Sequence, residues 1–412
     1  MEPQERIGIA ELTKLAFSGV DISPLRSELH RQVAGPDPAP GFMMDLSAID
    51  QLSGNAETGL RWQDEALKSC RMYRTHRDAA CGTTLLVYAT PANIGANTPV
   101  EFLLEGSRIQ TVIFYPDPDP DASTEVSLPP HDVAFCAAPT DGGDAREFFS
   151  RVRQIAARSL APVVNLPDRT IHLERHLLEH QLAGAPGVTV PKTLRLSRRM
   201  LEELCQSASV TGGHDPDLPW PVLIRPVGSH AGAGLERVVS RSELAGYLTR
   251  QSDAAFNVSE FIDYSSVADS LHRKYRIIFV DGQPFPCHMA IADQWDVWYL
   301  NAGMHLSESK RQEEEEFMAA FPDDFARKHE TALKAVAFSI GLDYFGIDCA
   351  EDKEGNLLVF EADNALIVHD MDPETVFPYK SAHMQRIFAA FQEMLARKAL
   401  PDAERSLRQR RA

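Results

Sequence analysis

Between Thr83 and about residue 165, short apolar runs recur between helix-like stretches, and this alternation constrains the fold more than any other feature of the sequence. Residues 85–88, 111–115, 133–137 and 162–165 read as strands, and 145–159 reads as an amphipathic helix. Strands alternating with helices imply a parallel sheet. Before this region, residues 1–78 read as helices: Ser23 and Pro24 form an N-cap and first-turn pair, and Gly35 ends that helix. After a Pro-rich connector at 36–40, two more helices are predicted over 45–52 and 60–73, the second with Trp62, Ala66, Leu67, Cys70 and Tyr73 on one stripe. Beyond residue 166 the pattern becomes α+β, with strands predicted over 221–227, 235–239, 256–262, 274–280 and 285–292. Asp281-Gly282 marks a hairpin, and Ser240 with Glu243 forms a capping box that opens a helix to Gln251. The acidic run Glu313 to Glu316 reads as an exposed helix face, and the Pro/Asp stretch 116–121 as a surface loop.

A chain of 412 residues exceeds what one core usually organises, so several subdomains are expected. The predicted divisions are a helical region at 1–78, an α/β domain at 79–165, a two-part α+β domain at 166–400 and a basic tail at 401–412. A net charge of −18 would repel a phosphate backbone, which excludes nucleic acid as the expected partner. Arg405, Arg408, Arg410 and Arg411 in the tail read as a solvated helix end. The first residues lack the apolar core of a signal peptide, and no run of 18 apolar residues occurs, so a cytoplasmic protein without a membrane partner is expected. Six scattered cysteines lack metal or disulfide spacing and suit reduced thiols in cores.

Chemistry concentrates in four constellations. The strongest is a predicted hairpin of the runs 345–350 and 357–363 around Glu354-Gly355. Its register sets Asp348 opposite Glu361, with Asp363 on the same face, while Phe345, Ile347, Cys349, Leu358 and Phe360 face the other way. Carboxylates facing each other on an apolar hairpin repel unless cations lie between them, and hard oxygens suit Mg²⁺. The second is Arg225 at the end of an apolar strand, followed by a glycine-rich loop holding Gly228, Ser229, His230, Gly232 and Gly234. Such a loop lets backbone N–H groups approach phosphate oxygens, although it matches neither P-loop nor dinucleotide spacing. The third is a strand end carrying Glu260, Phe261, Ile262 and Asp263, which offers backbone groups and carboxylates to a base or ribose. The fourth is Lys274 and Arg276, two cations on one strand face, suited to a triphosphate or an acyl phosphate. Taken singly, the last three also fit an ordinary turn, strand end or solvated pair.

In this order the four elements resemble the ATP-grasp superfamily, and most closely bacterial proteins that join a tetratricopeptide-like helical N-terminus to an ATP-grasp ligase domain. The resemblance also takes in Asp45-Leu46-Ser47, Tyr73-Arg74 and residues 91–106. It implies an ATP-grasp fold preceded by a Rossmann-like pre-ATP domain. It also implies an ATP-dependent carboxylate–amine ligase that uses ATP and Mg²⁺ and passes through an acyl phosphate. By the same resemblance Arg225, Arg175, the glycine loop, Lys274 and residues 260–263 bind ATP, and Lys274 and Arg276 act on the transferred phosphoryl group. Asp348 and Glu361 match metal-ligand positions, with Asp363 and Asn364 both open as the further ligand. Arg225 stands where the family carries lysine, which keeps the charge and adds a bidentate fork. His288 and Trp295 are candidate substrate contacts. The partners that follow are small-molecule or peptide carboxylates and amines, a protein at the helical N-terminus, and a second copy in a homodimer. A nucleotide-binding scaffold and a kinase that stops at a phosphorylated product are the alternatives.

Overall fold

The computed structural model describes residues 2–35, 38–75, 82–117, 119, 126–139, 145–170, 172–206, 219–229 and 232–399. His230, Cys81, the tail arginines and part of the 116–121 loop lie outside the described residues. Among the described residues the chain is a mixed α/β protein with three sheets.

The first sheet begins with the N-terminal region itself. Strand β1 (Gln4–Arg6) is followed by helices α1 (Ile9–Phe17), α2 (Ser23–Val33), α3 (Pro40–Leu52) and α4 (Ala56–Ser69), then by β2 (Met72–Thr75) and β3 (Thr83–Tyr88). A short α5 (Val100–Leu103), β4 (Ile109–Phe114), β5 (Val133–Cys136), α6 (Ala145–Ala156) and β6 (Val163–Val164) complete it, in the order β1-β2-β4-β3-β5-β6. The strands from β3 to β6 are parallel, so they are joined by crossovers rather than hairpins. Helices α1 to α4 occupy the region expected to be helical over 1–78, and strands bracket them: β2 pairs antiparallel with β4 and β1 pairs parallel with β2. Tyr73, expected on a helix stripe, is a fully buried strand residue, and its hydroxyl donates to the carbonyls of Ala66 and Cys70. Ser23 is the first residue of α2 rather than its cap, since Ile22 holds the cap position.

After α7 (Pro167–Thr170), α8 (Arg175–Gln181) and β7 (Val188–Thr189) comes a smaller unit: β8 (Thr193–Ser197), α9 (Arg198–Gln206), β9 (Val222–Pro226), β10 (Glu236–Val238), α10 (Arg241–Arg250) and β11 (Ala255–Glu260). Its four strands run in the order β10-β9-β11-β8, and Leu201, Leu244, Tyr247 and Leu248 from the two helices pack on them. Ser240 caps α10 by accepting from the Glu243 N–H, and Glu243 reaches back to the Val239 N–H at 2.9 Å.

The third sheet is β13-β12-β14-β15-β7, from β12 (His272–Val280), β13 (Gln283–Ala292), β14 (Tyr344–Glu351) and β15 (Leu357–Asp363). Asp281 and Gly282 join β12 to β13 with φ of 50° and 75°, the left-handed pair that a two-residue hairpin turn requires. Helices α11 (Glu308–Ala320), α12 (Phe325–Lys328) and α13 (Glu330–Ile340) lie between β13 and β14 in sequence and add Met318, Phe325, Leu333 and Val336 to the core. The final helix, α14 (Lys380–Lys398), wedges between the first and third sheets, where Phe391 meets Phe135 and Tyr344 at ring distances of 5.5 and 5.1 Å. Among the described residues, no helix is long and apolar enough to cross a membrane.

Candidate functional site

All three sheets, α8, α14 and the N-terminal helices contribute to one cleft of about 1550 Å³. All four predicted constellations place side chains in it, the second through Arg225, and the glycine loop enters through Gly228 and Gly232.

At its centre is the β12-β14-β15 register. Asp348 stands opposite Glu361, as the sequence predicted, and Arg276 stands beside Asp348 from the neighbouring strand. The predicted hairpin register does not hold throughout: Cys349 pairs with Val359 and Ala350 with Leu358, and the strands shift by one residue at Phe360. That irregularity takes Phe360 off the buried side and onto the cleft wall, where its ring lies 5.1 Å from that of Tyr264.

The acids are held by cations. Arg276 Nε donates to Asp348 Oδ1 at 2.8 Å, a second guanidinium nitrogen reaches Oδ2 at 3.2 Å, and Lys274 Nζ reaches Oδ2 at 2.7 Å. Burial alone would raise the Asp348 pKa, but Arg276 and Lys274 outweigh it and hold the carboxyl well below the usual range. Arg175, at the start of α8, donates to Glu361 at 2.5 Å. Burial again opposes ionisation of Glu361, and Arg175, helped by Arg225 and Lys274, keeps its pKa low. Arg276 also donates to the Ile367 carbonyl at 3.3 Å.

Arg225, on β9, turns toward its own loop, with Nε donating to Ser229 Oγ at 2.9 Å and another guanidinium nitrogen donating to the Ser229 carbonyl. Ser229 Oγ in turn donates to the Pro226 carbonyl at 2.8 Å. Gly228 and Gly232 have φ of 76° and 74°, and a side chain at either would meet nothing within 4 Å, so the backbone there is open to a ligand. Gly234 and Ser229 are not lining residues; a Cβ at Gly234 would stand 2.7 Å from Pro226, which makes that glycine a packing requirement.

Glu260, Phe261 and Ile262 line the cleft, and the Phe261 ring stands 5.8 Å from Trp295. Asp263 does not join them. Its carboxylate pairs with Lys353 at 2.5 Å and accepts from the Ser265 N–H, and these bonds lower its pKa to about 2. His288 lines the cleft on β13, directly across from Arg276, and burial together with Arg276 and Lys380 keeps it neutral by lowering its pKa.

For a metal, Asp348 and Glu361 offer hard oxygens across one strand pair, and Asp363 lines the same cleft with Oδ1 accepting from the Ala365 N–H at 2.9 Å. The donor chemistry fits magnesium. The expected trio is nevertheless not assembled, since among the described residues no group of three or more acids, histidines or cysteines is arranged to hold an ion. Asn364 is turned away from the cleft, and its amide nitrogen donates to the Ala138 carbonyl at 3.0 Å and to Thr98 Oγ1 at 3.3 Å, joining β15 to the first sheet.

Sequence reasoning missed Tyr299, Asp372 and Lys380, which close one end of the cleft. It also misjudged Glu314, which is wholly buried rather than part of an exposed acidic face. Lys380 opens the last helix and carried no motif; Glu314 could have been found only by noticing that one position of an acidic run points with Met318.

No family model matches the sequence, and no curated protein matches it. Among solved structures the chain is similar to the VanG D-Ala:D-Ser ligase from Enterococcus faecalis, at 11% identity and TM-score 0.44 over 75% of this chain and 98% of that one. It is also similar to a D-alanine–D-alanine ligase from Bacillus anthracis complexed with ATP, at 12% and 0.43 over 77% and 98%. A RimK domain ATP-grasp protein from Sphaerobacter thermophilus gives 12% and 0.42 over 76% and 99%.

Proposed function

We propose that the chain is an ATP-grasp ligase that uses Mg·ATP to activate a carboxylate and joins it to an amine. The observation that supports this most directly is the pairing of Asp348 and Glu361 across one hairpin, with Lys274, Arg276 and Arg175 bonded to them inside a cleft that a glycine loop borders.

In this reading the cations and acids are stored as ion pairs until a triphosphate enters. Lys274, Arg276, Arg175 and Arg225 would then turn to the phosphate oxygens, and the Asp348 and Glu361 pair would be free to hold magnesium. When bound, magnesium would neutralise phosphate charge. The carboxylate oxygen of the substrate attacks the γ-phosphorus, the bond to the bridging oxygen breaks, and ADP leaves. Lys274 and Arg276 stabilise the charge on the transferred group, and the cleft supplies position rather than covalent help. The amine then adds to the acyl carbon, phosphate departs, and the amine proton is released. In this reading Phe261, Ile262 and Phe360, which line the cleft, receive the adenine, with Glu260 beside them.

The test is release of ADP and phosphate from Mg·ATP over a panel of carboxylates and amines, with hydroxylamine as a small trap for the acyl phosphate. Hydroxamate formed by the wild type and lost in Asp348→Asn is the expected result. Nucleotide binding with no stimulated turnover would instead make the chain a scaffold, and a stable phosphorylated product without amide would make it a kinase.

A further inference from the structure

Helix α11 divides its charges between two faces. Lys310, Arg311 and Glu314 turn inward together. Lys310 Nζ donates to the Ala302 carbonyl at 2.8 Å, and Arg311 donates to the carbonyls of Met304 and His305 at 3.0 and 2.9 Å. Both staple the segment 293–307 to the helix. Glu314 does more. One oxygen accepts from the Met289 N–H on β13 at 3.0 Å, and the other accepts the hydroxyls of Tyr299 and Tyr379 at 2.9 and 2.6 Å. Lys380, 3.5 Å away and 4% exposed, also reaches Asp372 at 3.0 Å, donates to the Tyr299 hydroxyl, and stands 3.8 Å above the Tyr299 ring. The Tyr299 ring lies 4.7 Å from the ring of His288, which is the cross-strand neighbour of Arg276.

One buried carboxylate therefore joins strand, loop and final helix behind a single end of the cleft. A buried carboxylate is retained only where donors surround it, and here the donors are the parts of the wall. We propose that Glu314 is a positioning residue: through Tyr299 and Lys380 it fixes the aromatic loop 293–303 against His288, and that wall sets the fit of the substrate which reacts beside Arg276. The assignment of that substrate to the ligase reaction rests on the function proposed above; the positioning of the loop does not.

Two variants and a control test it in the full chain. Tyr299→Phe removes one hydroxyl and keeps the ring, and Glu314→Gln removes the charge and keeps an acceptor. Glu315→Gln alters the exposed neighbour. With the carboxylate that gives hydroxamate in the wild type, Tyr299→Phe and Glu314→Gln are expected to raise its KM at least fivefold, while the KM for Mg·ATP stays within twofold. In a Trp62→Phe, Trp220→Phe background, which leaves Trp295 and Trp298 on the loop as the emitting tryptophans, acrylamide quenching is expected to rise by half or more in both variants and to stay unchanged in Glu315→Gln. Equal rises in both KM values, or quenching unmoved in Tyr299→Phe, would overturn the proposal. If Glu314→Gln does not fold, Tyr299→Phe decides alone. If no carboxylate supports turnover in the wild type, the ligase reading falls while the quenching comparison still supports or overturns the positioning of the loop.

Discussion

Both oxygens of Asp348 are committed to cations, so its replacement is felt twice. Asp348→Asn leaves Arg276 and Lys274 facing a neutral amide, and turnover is expected to fall at least a hundredfold, or about 2.7 kcal/mol in the barrier. Because the pair is buried, urea unfolding should show a loss of about 3 kcal/mol as well. Unchanged turnover would remove Asp348 from the chemistry. Asp45 is a different case. It accepts from the N–H groups of Ile7 and Gly8, yet burial dominates and pushes its pKa up to about 6. The folded chain therefore binds this proton more tightly than the unfolded one, and stability falls as pH rises from about 4 through about 6, by up to about 3 kcal/mol. Unfolding curves for the wild type and Asp45→Asn, compared at about pH 4.5 and 7.5, should show the variant lacking that loss. The two-residue period of a strand was enough to place Asp348, Glu361, Lys274 and Arg276. It could not place Asn364 or Asp263, because each lies past the end of its strand, where alternation no longer dictates direction.

At the scale of elements, local chemistry was legible wherever turn or cap residues carry their own geometry. The Asp281-Gly282 turn and the Ser240 cap are both present. Ser240→Ala should lower the stability of the smaller unit by about 1 kcal/mol, read as a shift in its thermal or denaturant transition. An unaltered transition would mean that the Glu243 bond to Val239 suffices. Tyr73 and Phe360 were misread for tertiary reasons: Tyr73 leaves its helical stripe because β2 needs an apolar residue against β4, and Phe360 leaves its face because one extra residue enters β15. Neither cause is visible in a window of neighbouring residues.

For the whole molecule, the main departure is the N-terminal region. Its helices suggested a separable module, but β1 and β2 extend the first sheet and Arg6 forms a buried ion pair with Glu101 of α5. A chain starting at residue 79 would expose the edge of β4 and is expected to be insoluble or to melt without cooperativity. A soluble product with wild-type turnover would restore the modular reading.

The cleft draws its wall from both ends of the chain, from Arg6 on β1 and from Lys380 on α14. During synthesis the first wall is therefore made long before the second. A partly translated chain has a place for the glycine loop and for the paired acids but no finished chamber, so the cleft is complete only once α14 has emerged and settled between the sheets.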